Sequence, residues 1–401
     1  MRYPLKKPIT IFIALSVLFI FSILTTSCKT STKNENPILV KVLWSKEDTS
    51  HHNYRIPSLI ITKQNTLLAF SERREGGDSG NIDILLKRSL DNGNTWEEQI
   101  IVWNDSTNTC GNPCPIIDRN TGRILLFMTW NLGSDHEADI IRKKGKSTRL
   151  PYMAYSDDDG LTWSQPKNLS ESAKNKEWGW YATGPGVGIQ LKSEKYKNRL
   201  VIPCNTSFDA PENTSRDGFG YGCHVLLSDD GGTNWRMGEL ITPEVNESQI
   251  VELDDGTLMM NMRSYNGKAS RATSLSYDGG ETWSEIEHAP QLVEPICQGS
   301  IIHYGGYDGA DMYLFSNPSV PYNRTHMTIQ TSFDECRTWS NSKLIYSGPS
   351  AYSCLTKLPN GNVGLFFEAG EQNSYEKMVF ASFDPDELFS PGSLIPAPKY
   401  P

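Results

Sequence analysis

From Ile38 onward the chain has one texture. Short apolar and β-branched runs alternate with clusters of Gly, Asn, Asp and Pro. Ser58-Leu59-Ile60-Ile61-Thr62, Arg123-Ile124-Leu125-Leu126-Phe127-Met128 and Leu200-Val201-Ile202-Pro203 are typical. Runs this short, bounded by turn-forming residues, predict β-strands joined by hairpins. No segment of convincing length carries apolar residues at helical spacing. The pattern predicts an all-β fold, and with no linker dividing it, a single body spanning residues 39–401.

A repeated turn sharpens this expectation. The pattern Ser-x-Asp-x-Gly-x-Thr-Trp occurs at Ser89–Trp96, Ser156–Trp163 and Ser276–Trp283. Two worn copies are Ser228–Trp235, with Asn234 at the Thr place, and Ser332–Trp339, with Cys336 at the Gly place. Asp binds nearby backbone amides, Gly accepts positive φ, and the following Thr-Trp opens a strand and buries apolar surface. Five of the 10 tryptophans lie in these copies. A turn recurring at such intervals marks repeated supersecondary units, as in a β-propeller. About six antiparallel four-stranded blades of roughly 60 residues each fit the length, which leaves one blade without a recognisable copy. Such turns predict a scaffold and do not by themselves predict an enzyme.

Composition narrows the function. Residues 1–27 read as an export leader: Arg2, Lys6 and Lys7 precede an apolar run from Ile9 to Leu24. Thr25-Thr26-Ser27-Cys28 has small residues before a cysteine, like a bacterial lipoprotein cleavage box, and makes Cys28 the expected lipidation site. An ordinary cleaved signal and an uncleaved anchor are the alternatives. Residues 28–38 read as a polar tether. The expected location is a bacterial membrane, periplasm or cell surface, with membrane contact only through the lipid. The net charge of -9, more negative once the leader is removed, argues against nucleic-acid binding. The seven further cysteines are spread thinly and read mostly as buried thiols, although Cys110 and Cys114 are near enough in sequence for a local bridge. No histidine pair has ligand spacing, so a zinc site is not expected; no phosphate-binding loop appears either, and neither a metal nor an organic cofactor is implied.

Ordered blocks lie between the repeats: Tyr54-Arg55-Ile56-Pro57, Ser71-Glu72-Arg73-Arg74, Gly76-Gly77-Asp78-Ser79-Gly80, Trp180-Tyr181-Ala182-Thr183-Gly184-Pro185-Gly186, Asn246-Glu247-Ser248-Gln249, Asn261-Met262-Arg263, Pro295-Ile296-Cys297-Gln298, Asn317-Pro318 before Arg324, Ser350-Ala351-Tyr352-Ser353 and Phe366-Phe367-Glu368. With the repeats, which resemble the Asp boxes of that family, the set resembles the bacterial exo-α-sialidases over essentially the whole chain after the leader.

The resemblance implies a chemistry with its own physical logic. Sialic acid carries a carboxylate on its anomeric carbon. Arginine grips such an anion best, through paired hydrogen bonds and a charge it does not lose. Arg55, Arg263 and Arg324 match the family's three-arginine cluster, and Glu368 matches the carboxylate that steadies Arg55. A carboxylate nucleophile would be repelled by the substrate's own charge, which accounts for sialidases using a Tyr nucleophile. Tyr352 is the match, with Glu247 as its base partner. Ionising a free Tyr at pH 7 costs roughly 4 kcal/mol, so proton removal during attack matters. Asp78 matches the acid that protonates the leaving sugar, a role that requires a raised pKa; Asp83 is the rival. Arg74 matches a contact to ring hydroxyls, with Arg73 as the alternative.

Taken singly, each residue has an ordinary structural explanation: a surface Arg, a packed Tyr, an Asp in a turn. Their coincidence favours an exo-α-sialidase acting with retention on sialylated glycoproteins, glycolipids or oligosaccharides. The competing readings are a non-catalytic glycan-binding propeller, a transglycosylating enzyme, and a hydrolase preferring a deaminated sialic acid.

Overall fold

The strands pair almost wholly with their sequence neighbours, antiparallel, in four hydrogen-bonded sheets. The computed structural model describes residues 1, 4, 38–48, 52–211 and 218–395. Cys28, and with it nearly all of the expected leader and tether, lies outside the described residues. Chain contacts separate Met1–Asn36 from a second unit, Pro37–Pro401, and the description that follows is of the second.

In the first sheet Asn53–Ile61, Leu67–Arg74, Ile82–Ser89 and Ile100–Trp103 pair in succession. One parallel step, Ile82 against Thr109, joins them to Thr109–Ile117, Ile124–Asn131, Leu150–Ser156 and Lys167–Asn168. The next sheet sets Tyr181–Thr183 and Ile189–Gln190 against Leu200–Asp209, followed by Phe219–Ser228 and Arg236–Met237. Val245–Glu252, Leu258–Ser264, Ser270–Ser276 and Glu287–Val293 form a third. In the last, Ser300–Tyr307, Ala310–Pro318 and Thr325–Ser332 lead to a 17-residue strand, Asn341–Lys357. That strand pairs with Thr325–Ser332 up to Pro349 and with Val363–Ala369 from Ser350 onward. Lys377–Phe383 follows, and Leu39–Ser45, from the start of the unit, completes the sheet. The unit is all-β, as its sequence predicts. Among the described residues the only α-helical segments are Glu137–Ile141 and Ser170–Ala173.

The repeated turns work as closed hydrogen-bond circuits. In the first, Ser89 Oγ accepts from the Gly93 amide at 2.8 Å, and Asp91 accepts from Ser89 Oγ at 2.9 Å, the Thr95 amide at 2.8 Å and the Thr95 hydroxyl at 2.7 Å. Trp96 then packs edge-on against Phe380 of the strand Lys377–Phe383. The glycine is required there: φ is +89°, and a Cβ would lie 2.1 Å from the Phe380 ring. Trp163 packs likewise on Phe70, and Trp235 on Phe127. The worn copies keep the circuit. Asn234 donates to Asp230 where Thr would, and Cys336 adopts φ 64° in the glycine's place.

Neighbouring sheets bury both faces of their middle strands, which is why runs such as Ile124–Asn131 are continuously apolar rather than alternating. A cavity of about 440 Å³ is lined by one strand from each of six places in the chain, including Ile60, Ile116, Ile189, Val251, Ile302 and Leu355. All seven described cysteines are buried and free, Cys110 and Cys114 among them.

Candidate active site

Four strands lose their pairing register near one pocket: between Arg55 and Ser58, Gly111 and Cys114, Val245 and Ser248, and Ser350 and Ser353. Bulges of this kind re-aim side chains next to active sites. The residues in or beside these breaks, Arg55, Ile56, Asn112, Asn246, Glu247 and Tyr352, all line one pocket of about 270 Å³. Ile56 has φ 62°, a left-handed conformation costly for a β-branched residue, and its amide donates to Glu368 at 2.9 Å.

The expected residues meet here. Tyr352 donates its phenol proton to Glu247 at 2.5 Å and accepts from Arg263 at 2.9 Å, while Arg263 also binds Glu247 at 2.7 Å. The guanidinium carbons of Arg55 and Arg324 lie 5.0 Å and 5.5 Å from the centre of the Tyr352 ring. All three arginines therefore surround one phenol. Glu368, fully buried, takes Arg55 Nε at 3.1 Å and Nη2 at 3.3 Å, and accepts from the Tyr352 amide at 3.1 Å. One carboxylate thus fixes both a cation of the pocket and the backbone of the phenol. Arg324 donates to the Tyr375 hydroxyl at 2.9 Å and to the Ile296 carbonyl at 3.0 Å.

The two aspartates part company. Asp78 lies at the pocket's lip, with Oδ1 bound to Arg74 and 3.4 Å from Arg55. Asp83 is buried and clamped by Arg73 at 2.5 Å and Asn104 at 2.6 Å, outside the pocket lining. Arg74 lines the pocket, held at 2.6 Å by Glu72, whereas Arg73 does not line it.

Ionisation corrects one expectation. Burial works against the Asp78 carboxylate, but Arg74 and Arg55 outweigh it and hold its pKa below the ordinary carboxylate value. The raised pKa expected of a general acid is not found at Asp78, because two guanidinium groups converge on it. Burial pushes the Tyr352 phenol well up, and the charge of Glu247 adds to this against the pull of the three arginines. Tyr352 thus rests as a neutral phenol, hydrogen-bonded to Glu247.

Part of the lining was not expected: Arg149, Glu137, Trp180 and Asn205, together with Tyr265 and Tyr375. Arg149 spends three donors on Thr129, Asn131 and Asn112, at 2.6–2.9 Å, and stacks 4.3 Å from the Trp180 ring. Burial lowers its pKa to about 10. Burial also raises the Glu137 carboxyl, with Arg149 pulling the other way. Trp180 opens one of the sequence blocks noted above; nothing in the sequence sets the others apart. Behind the pocket, Arg271 and Glu294 form a fully buried pair at 2.7 Å that also ties down Cys297 and Ser264. Among the described residues, Asp254, His303 and Asp311 bring three metal-ligand atoms within 4.8 Å of one another, but they are not part of the pocket lining.

Residues 65–365 match the BNR repeat-like domain. A sialidase of Bacteroides fragilis is 31% identical over 344 residues, 80% of this chain and 61% of the relative. A sialidase of Micromonospora viridifaciens is 31% identical over 375 residues, 86% and 56% of the two chains. The chain therefore spans somewhat over half the length of these two curated relatives. Among solved structures, the Hadza microbial sialidase Hz136 aligns with a TM-score of 0.71 at 29% identity, covering 83% of this chain and 66% of that one. The chain belongs to the BNR repeat-like domain family.

Proposed function

We propose that this chain is an exo-α-sialidase that hydrolyses terminal α-linked sialic acids from glycoconjugates with retention of configuration, using Tyr352 as nucleophile. The observation that carries the reading is the Tyr352–Glu247 hydrogen bond of 2.5 Å, set among three arginines. The scaffold is read as a six-bladed propeller. Dividing the long strand Asn341–Lys357 at Ser350, where it changes partners, and the first sheet at its parallel step groups the strands into six antiparallel sets of four, with two short segments sharing one place in the third. The cavity lined by six strands then runs along the axis.

In this reading Arg55, Arg263 and Arg324 bind the substrate carboxylate, which places the anomeric carbon beside the Tyr352 oxygen. That oxygen attacks as its proton passes to Glu247. The bond to the leaving oxygen breaks, and Asp78 supplies the proton that oxygen takes up. Water then attacks the tyrosyl-linked sugar, giving its proton to Asp78, and Glu247 returns a proton to the departing phenolate. Substrate binding also prepares the acid. The incoming carboxylate neutralises Arg55 and brings negative charge near Asp78, and both effects raise the Asp78 pKa toward the protonated form needed.

Incubation with α2,3- and α2,6-sialyl-lactose, followed by NMR from the first turnover, tests this. The expected result is free sialic acid released first as the α-anomer. Release of the β-anomer first, or no release from either sugar, contradicts it, and transfer to a second sugar would replace hydrolysis by transglycosylation.

A further inference from the structure

The three arginines around Tyr352 are held in different ways. Arg55 is paired with the Glu368 carboxylate at 3.1 Å, and Arg263 with the Glu247 carboxylate at 2.7 Å. Arg324 lines the same pocket but has no carboxylate partner among the described residues. It spends two donors on uncharged oxygens, the Tyr375 hydroxyl at 2.9 Å and the Ile296 carbonyl at 3.0 Å. A carboxylate partner fixes a guanidinium and also cancels much of its charge. A hydroxyl fixes its direction and leaves the charge for an incoming anion.

Tyr375 also reaches a second cation. The Arg55 guanidinium carbon lies over its ring, 4.2 Å from the centre, nearer than the 5.0 Å to the Tyr352 ring. One side chain thus touches two of the three arginines, Arg55 through its ring face and Arg324 through its hydroxyl. The ring packs on the small buried cluster of Ile56, Cys297, Ala351 and Tyr352. Its loop, between the strands Val363–Ala369 and Lys377–Phe383, is closely tied. Glu376 accepts from the amides of Glu371, Gln372 and Asn373 at 2.7–3.1 Å, and Asn373 Oδ1 accepts from the Tyr375 amide at 2.9 Å. The Ser374 hydroxyl donates to the Arg324 carbonyl at 2.9 Å, so this loop holds Arg324 at its backbone as well as at its guanidinium.

We infer that Tyr375 is a positioning residue of the carboxylate grip: its hydroxyl aims Arg324 without neutralising it, and its ring seats Arg55. The inference rests on the sialidase reading above. Its test takes Tyr375→Phe and Tyr375→Leu through kinetics on an aryl α-sialoside. Inhibition is measured alongside with the 2,3-unsaturated sialic acid and with its carboxamide, which keeps the shape and loses the charge. Phe keeps the ring and drops the hydroxyl, so KM should rise about tenfold, the scale of a hydrogen bond to a charged group. Because the grip is the same in ground and transition states, kcat should stay within about twofold. Leu lacks the ring as well and should lose a further factor of about three. Wild-type protein should bind the acid better than the carboxamide, and the Phe variant should lose about tenfold of that preference. In an Arg324→Ala background, Tyr375→Phe should shift the preference by less than about twofold. The preference is a ratio internal to each preparation, so the folded fraction does not enter it, and a merely structural role would weaken both inhibitors alike. Unchanged KM and preference in both variants, equal loss for acid and carboxamide, or a full effect of Tyr375→Phe without Arg324 overturns the inference. Wild-type protein that neither cleaves the sialoside nor binds the acid overturns the sialidase reading itself, and the inference with it.

Discussion

Replacing Glu368 with Gln probes the buried carboxylate that anchors Arg55 and the Tyr352 backbone. The carboxylate accepts from the Ile56 amide at 2.9 Å, the Tyr352 amide at 3.1 Å and Arg55 at 3.1 and 3.3 Å, with no exposure to solvent. Glutamine keeps the shape but turns an NH2 toward donors, leaving at least one buried amide unpaired, which costs about 1–3 kcal/mol. It also removes the counter-charge of a buried guanidinium, and breaking one side of a buried ion pair costs about 3–5 kcal/mol. The two penalties overlap, since both report the same lost anion, so a fall of about 3–5 kcal/mol is expected. Against a total stability of about 5–15 kcal/mol this is a large share. Urea denaturation followed by tryptophan fluorescence measures it. Kinetics on the folded fraction should show a raised KM, because Arg55 loses its anchor, and a lowered kcat, because the Tyr352 backbone loses its own. A stability change under about 1 kcal/mol with unchanged KM would refute the idea that Glu368 organises the site.

Two further predictions follow from charge. A general acid works only when protonated, and Asp78 is held below its ordinary pKa in the free protein. Activity limited by free enzyme should therefore fall as pH rises through that lowered value, whereas in the substrate complex the carboxylate pushes the Asp78 pKa up. The kcat/KM profile should decline at lower pH than the kcat profile, and coincident limbs would contradict the electrostatic account. Arg271→Met leaves Glu294 buried without its cation, an environment in which burial already raises that carboxyl. It should lose about 3–5 kcal/mol, with partial recovery in the double variant carrying Glu294→Leu; a loss confined to the single variant's activity, with unchanged stability, would make the pair something other than structural.

Most of this architecture is written locally. The turn at Ser89–Trp96 closes its circuit within eight residues, so the pattern is visible without any long-range contact. It survives Cys336 because Ser332 and Asp334 supply the same bonds. The arginines, Asp78, Glu247, Tyr352 and Glu368 stand out through their sequence neighbours; the fold brings all but Glu368 to one pocket lining, with Glu368 buried against Arg55 and the Tyr352 amide. What sequence does not carry is whatever register creates. Asn205 becomes a pocket residue only through its pairing with Ala182, and Arg149 only through bonds to Thr129, Asn131 and Asn112. The pairing of Leu39–Ser45 with Lys377–Phe383 joins opposite ends of the unit, and neither strand has a local signal for the other. Asp78 shows the same limit in charge: beyond burial, its ionisation depends first on Arg74, four residues away, and then on Arg55, which reaches it from a different strand.

The central claim is that the Tyr352 oxygen becomes covalently joined to the sugar. A 3-fluoro sialosyl fluoride, whose fluorine slows the second step, should leave a glycosylated protein whose peptide map carries the sugar on Tyr352. An adduct on Glu247, or full turnover of the reagent with no adduct at any time, would contradict it.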